Sequence, residues 1–278
     1  MSHLVRTAEP TLHQPVVVAA FEGWNDAGEA ATFAARFLAE RWEAEPFAVI
    51  DPEEFFDFTT TRPQVRLDDD AQREIVWPTT TLSAASVPDS RVDAIFVVGS
   101  EPQLKWRTFC DEIVSVAKEY DARMVITLGA LLAEVPHSRP VSVVGTAYDR
   151  ELVRRLGLVQ STYQGPTGIV GVLHDSFRQA AIPSVSFWAT VPTYVPSAPS
   201  PKAALALVER IGEMLSVPLT TTDLEIAASS YERQIDELVA DDEDTADYVA
   251  RLEEEADIEP EEPQGDLIAE VERFLREQ

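Results

Sequence analysis

What most constrains this chain is a repeated pairing: a short, unbroken apolar run, then a segment whose apolar residues recur at helical spacing. Val16-Val17-Val18-Ala19-Ala20 is such a run, as expected of a strand buried on both faces. Behind it, Ala30, Phe33, Ala34, Phe37, Leu38 and Trp42 mark one apolar helix face. Val92-Asp93-Ala94-Ile95-Phe96-Val97-Val98-Gly99 reads as a buried strand and precedes a helix carrying Leu104, Phe109, Ile113 and Val114. Further strands are predicted at residues 46–51, 123–129, 142–147 and 185–190. Asp149 is placed to cap a short helix, and Ser200-Pro201 is a good start for a helix through Leu205, Val208, Ile211 and Leu215. Strands alternating with helices through residue 217 predict a three-layer α/β domain, its sheet mostly parallel or mixed and flanked by helices.

The hinge between the first strand and first helix, Phe21-Glu22-Gly23-Trp24-Asn25-Asp26-Ala27-Gly28-Glu29, sits where open α/β sheets usually bind ligands. Asp26 and Glu29 have the spacing of a capping box, and Gly23 and Gly28 bracket the turn. Capping accounts for the acids and tight geometry for the glycines, which leaves Glu22, Trp24 and Asn25 as candidate ligand-binding residues. Glu22, Asp26, Asp51 and Glu101 all fall at or just after the carboxyl end of a predicted strand, so Glu101 joins the candidates on that rim. Gly165, Thr167 and Gly168 open a helix in Tyr163-Gln164-Gly165-Pro166-Thr167-Gly168-Ile169, where backbone N–H groups could meet an anion. The spacing matches neither a P-loop nor a dinucleotide fingerprint, and close helix–strand packing explains the glycines more simply.

Signals for other chemistry are absent from the pattern. The four histidines, His3, His13, His137 and His174, form no metal-ligand spacing, and Cys110, the single cysteine, permits no internal disulfide and no cysteine-based zinc cluster. His137 could meet an anion together with Arg139, but a solvated loop histidine is the simpler reading; His174 reads as core or helix surface. No Gly-x-Ser-x-Gly elbow occurs, so no catalytic residue, cofactor or metal is assigned. The net charge of −27 is concentrated at the C-terminal end, where residues 223–278 hold 21 acids and 4 bases. Such acidity argues against nucleic-acid partners. No run approaches the length of a membrane span, and the opening residues lack the apolar stretch of a secretory signal, so a cytoplasmic location is expected.

Three stretches stand outside the strand–helix rhythm. Residues 53–63 mix Phe55, Phe56 and Phe58 with acids and hydroxyls, which suggests an oligomer contact, a pocket lid or core packing. Val65-Arg66-Leu67 and Glu74-Ile75-Val76-Trp77 around Asp68-Asp69-Asp70 read as a hairpin with a solvated acidic turn. Residues 218–278 read as an acidic helical extension to a main domain at 1–217: one amphipathic helix through Leu224, Ala228, Tyr231, Ile235 and Leu238, a continuation through Tyr248, Val249 and Leu252, and a final helix around Leu267–Phe274.

The hinge motif, the strand into Val98-Gly99-Ser100, the Leu128-Gly129-Ala130 strand end and the Tyr163–Ile169 segment together resemble the PAC2 family over about residues 15–215. That resemblance implies a fold similar to the purine nucleoside phosphorylase group. It also implies a homo-oligomer, a trimer foremost, and a non-catalytic assembly or interaction role linked to the proteasome or another complex. The alternative it leaves is an enzyme or sensor binding a nucleoside or phosphometabolite. Chaperones of this kind that dock on proteasome rings end in a hydrophobic residue, a tyrosine and one last residue; this chain ends Phe274-Leu275-Arg276-Glu277-Gln278, so docking by such a tail is not implied.

Overall fold

A computed structural model describes residues 2–68, 71–160 and 164–258. The expected last helix near residues 267–275 lies outside them. The strands are β1 (Leu4–Arg6), β2 (Val16–Glu22), β3 (Glu45–Ile50), β4 (Gln64–Leu67), β5 (Arg73–Val76), β6 (Thr80–Ser86), β7 (Asp93–Ser100), β8 (Met124–Ala133), β9 (Val143–Ala147) and β10 (Ser184–Pro192). The helices are α1 (Ala30–Arg41), α2 (Trp106–Glu119), α3 (Arg150–Leu156), α4 (Ile169–Gln179), α5 (Pro201–Leu215), α6 (Thr222–Ala240) and α7 (Glu243–Ile258). The chain is therefore a mixed α/β fold whose large sheet is flanked by seven helices among the described residues.

Eight strands form one sheet in the order β1-β3-β6-β7-β2-β8-β10-β9. Its centre is parallel, with β2 between β7 and β8, and β10 beyond β8. Both flanks are antiparallel: β1, β3 and β6 on one side, β9 on the other. Unbroken apolar sequence belongs to the centre, where a strand is covered on both faces. Thus Val16, Val18 and Ala20 of β2 enter a core beneath α1 and α5, while Val17, Ala19 and Phe21 enter a second core beneath α2 and α4. Each large side chain so buried is worth about 1.5–3 kcal/mol. The sheet is less parallel than the strand–helix alternation predicts. The difference arises at β6, Thr-Thr-Leu-Ser-Ala-Ala-Ser, whose small and hydroxylated residues hide a strand that enters antiparallel to β7.

Of the aromatic stretch, Phe55 and Phe56 pack in the second core, and Phe58 lies edge-on to Trp77 at 4.8 Å. The β4–β5 hairpin forms a separate two-stranded sheet in which Val65 faces Ile75. At the C-terminal side α6 packs along α5, and Leu224 joins the first core.

Candidate functional site

The carboxyl ends of β2 and β7 form a rim whose two faces are built differently. Even-numbered positions of β2 point to the α1 face, so Glu22 meets α1 there. Its carboxylate pairs with Arg36 and accepts from the Ser100 hydroxyl at 2.7 Å. Burial pushes the Glu22 carboxyl up, but the bonds from Arg36 and Ser100 outweigh it and hold the group below its ordinary value.

After Glu22 the chain reverses through Gly23, whose φ of 117° is open to glycine at little cost. Asn25 is then carried into the interior, 1% exposed, its carbonyl accepting from the Ala130 amide at 2.8 Å. The Asn25 side-chain amide donates to Glu101 Oε1 at 2.9 Å, and the same oxygen accepts from the Ile169 amide, the first of α4, at 2.7 Å. Gly168 is the residue before that helix, and a Cβ there would lie 2.4 Å from Asn25 Nδ2. Asn25, Glu101 and Gly168 thus form a latch between the β2 turn, the end of β7 and α4. The amide end of α4 takes its negative charge from Glu101 rather than from outside the chain. Asn25 Oδ1 has no partner among the described residues; turning the amide over would set that oxygen against the Glu101 carboxylate.

The other three expected residues stand apart from the latch. Trp24 is half-buried on the same turn. Gly165 and Thr167 are exposed, and the Thr167 hydroxyl lies over Gly171, where a Cβ would come within 2.0 Å of it.

Asp26 caps α1 as anticipated, accepting from the Ala31 amide at 2.6 Å and from the Thr32 hydroxyl at 2.5 Å. The reciprocal half of the capping box does not form. A 3-10 turn at Ala27–Glu29, with left-handed Gly28 and Glu29, delays the helix to Ala30 and leaves Glu29 exposed without a cap bond. Burial raises the Asp26 carboxyl to about 6 against these donated bonds.

His137 is the clearest departure from the sequence reading. It is 4% exposed, not solvated, with Nδ1 at 2.8 Å from the Tyr194 hydroxyl and Nε2 at 3.0 Å from Asp236 of α6. Lys202 donates to the His137 and Arg139 carbonyls at 2.6 and 2.7 Å and also reaches Glu232, while Arg139 holds Asp257 through two bonds of 2.8 Å. Loop and extension are clamped together by partners about a hundred residues away, which no local pattern can reveal. His174 is 6% exposed against Tyr148, and burial lowers it to about 4. Cys110 is fully buried, and that burial raises its thiol to about 12, a packed and unreactive group. Among the described residues no group of His, Cys, Asp or Glu side chains is set to hold a metal, and no helix is long and apolar enough to cross a membrane.

A known family profile, that of the PAC2 family, matches residues 20–239, a span that contains the hinge, the latch and the α4 entry. The chain belongs to the PAC2 family. A proteasome-assembly chaperone homologue of Mycobacterium tuberculosis is 46% identical, with 84% of this chain and 99% of that one covered at a TM-score of 0.77. A PAC2 family protein of Streptomyces avermitilis is 43% identical over 84% of this chain and 99% of its own, TM-score 0.78. A second M. tuberculosis protein, of unknown function, is 28% identical but covers 99% of this PAC2 chain and 96% of its own length, TM-score 0.84. Among curated proteins there is no match.

Proposed function

We propose that this chain is a non-catalytic assembly or interaction protein of the PAC2 family that acts in the cytoplasm on a multi-subunit complex of the proteasome type. The observation that carries this reading is the β4–β5 hairpin. Val65, Leu67 and Ile75 alternate to its outer face and are 60%, 66% and 55% exposed. A lone two-stranded hairpin is marginal in water, and clustered exposed apolar residues mark contact surfaces. The 46% identical relative described as a proteasome-assembly chaperone homologue supplies the kind of complex. The mixed sheet with helices on both faces is consistent with the phosphorylase-like group, and with it a homo-oligomer, a trimer first.

The test is native electrophoresis of cytosol from cells with and without the chain, blotted for proteasome subunits and for the chain itself. Accumulation of unassembled subunits in its absence, and co-migration of the chain with an assembly intermediate, are expected. Unchanged assembly with no co-migrating partner would refute the role. Light scattering of the purified chain returning a monomer mass would remove the homo-oligomer.

A further inference from the structure

The α1 face of the sheet is left uncovered over one region, the carboxyl end of β7 and the adjoining start of β6. Helix cover requires apolar residues at the positions that point outward, as at Phe96 deeper in β7. Here those positions are Thr81, Ser83, Val98 and Ser100, all half-buried and three of them hydroxyls, on a floor beside α1. The floor lies in a groove of about 510 Å³ walled by α1 on one side and the β4–β5 hairpin on the other. That volume is in the range of small-molecule sites.

The groove's charge is opposite to that of the chain. The whole protein carries −27, yet Arg36, Arg62 and Arg66 all line this one groove, with Glu22 the one acid among the described residues that line it. Glu22 is committed to Arg36 and Ser100. Among the described residues neither Arg62 nor Arg66 has an ion-pair partner; Glu74 stands across the hairpin from Arg66 without closing one. Guanidiniums convergent on a hydroxyl-lined floor fit phosphate oxygens, which they can take two at a time. Trp77 lines the same groove, 43% exposed and steadied by the edge of Phe58. An indole held in place and open on one side is a platform for a flat ring.

We propose that this groove binds a nucleotide-class ligand, its phosphates on Arg62 and Arg66 beside Arg36 and its base on Trp77. The site is distinct from the assembly surface, because it uses the inner face of the hairpin, where Gln64, Arg66 and Val76 lie, and not the outer face of Val65 and Ile75.

The test is calorimetric titration of the full chain at about 0.15 M salt with the four ribonucleoside diphosphates, adenosine and pyrophosphate. Saturable binding of at least one diphosphate is expected, weakened about tenfold or more in the Arg62→Ala/Arg66→Ala double variant and severalfold in Trp77→Ala. Both arginines reach the surface, so thermal melts of the double variant should match those of the parent chain and show that lost binding is not lost folding. No binding of any diphosphate up to about 1 mM, or binding unmoved by the double variant, overturns the proposal. Pyrophosphate bound as tightly as every diphosphate, with Trp77→Ala silent, overturns the ring half of it.

Discussion

Two regions meet at the same rim and solve opposite problems. On the α4 face, the end of β7 and the β2 turn close upon a helix terminus: Glu101 serves both Asn25 and the Ile169 amide, and Gly168 is pressed against Asn25. On the α1 face, at Glu22 and Ser100, close to the latch residues in sequence, the sheet stays open beside Arg62 and Arg66, which have no ion-pair partner among the described residues. The latch spends its polar groups on one another, and the groove pairs Arg36 with Glu22 but leaves Arg62 and Arg66 without an ion-pair partner among the described residues. Position at the carboxyl end of a strand is thus compatible with either outcome. What separates them is whether a helix arrives with unsatisfied amides that the chain must serve itself.

The sharpest way to break the contrast is Gly168→Ala. A methyl 2.4 Å from Asn25 Nδ2 forces that buried amide away from Glu101, so overpacking and a lost hydrogen bond should together remove about 3–4 kcal/mol, read as the urea midpoint. A fall under about 1 kcal/mol would show that the latch yields easily.

The pH dependence should come from both faces, His174 on the closed side and Asp26 at the start of α1. His174 on α4 is lowered to about 4 by burial, so between its unfolded value near 6.5 and about 4 the unfolded chain binds the proton first. Stability therefore falls as the pH drops through that window, by about 3 kcal/mol at its foot, and His174→Phe should abolish the loss. Asp26 works in the reverse sense. Raised to about 6 by burial, it makes the folded chain bind the proton first between about 3.8 and 6, so stability declines as pH rises there. Asp26→Asn should consequently steepen the acid-side loss. Identical denaturation midpoints for parent and Asp26→Asn at pH 4 and pH 7, after subtracting a constant offset, would contradict this (both pH values are about the ends of the window).

Smaller again is Glu101→Gln, which keeps the shape but weakens the bond to the α4 amide and removes the charge at the helix start. About 2 kcal/mol of stability should go, with amide exchange quickening first at Ile169. The smallest effect belongs to the open side: Arg62→Ala with Arg66→Ala should shift stability by no more than about 0.5 kcal/mol, because these guanidiniums have no ion-pair partner among the described residues. A larger loss would mean that the groove, too, is structural.

Much of this was open to reading along the chain, and the failures have common causes. The central strands announce themselves because burial on both faces demands unbroken apolar residues, and the Asp149 and Ser200 caps follow from spacing alone. Glu22, Asn25, Glu101 and Gly168 were all legible as rim residues. Their division into a latch and a groove wall was not, because it depends on which face each points to and on α4 arriving from residue 169. β6 is hidden by its threonines, serines and alanines, whose strand state comes from pairing with β7 rather than from propensity. His137 looks solvated from Pro136 and Ser138 beside it, and is buried by α6 and Tyr194. Arg62 and Arg66 give no signal along Thr61-Arg62-Pro63-Gln64-Val65-Arg66-Leu67, because only the fold brings them to the groove.

By itself, then, the sequence determined the α/β alternation, the core strands, the helix starts and the concentration of acid in the extension, all of which rest on near neighbours and on the period of apolar residues. Only the tertiary structure decided that the flanks are antiparallel, that Asn25 is locked to Glu101 while Glu22 faces an open groove, and that three arginines of a strongly acidic chain converge upon it. Those outcomes turn on contacts between residues scores of positions apart, and the energies that settle them, desolvation and ion pairing, exist only once the chain has brought the groups together.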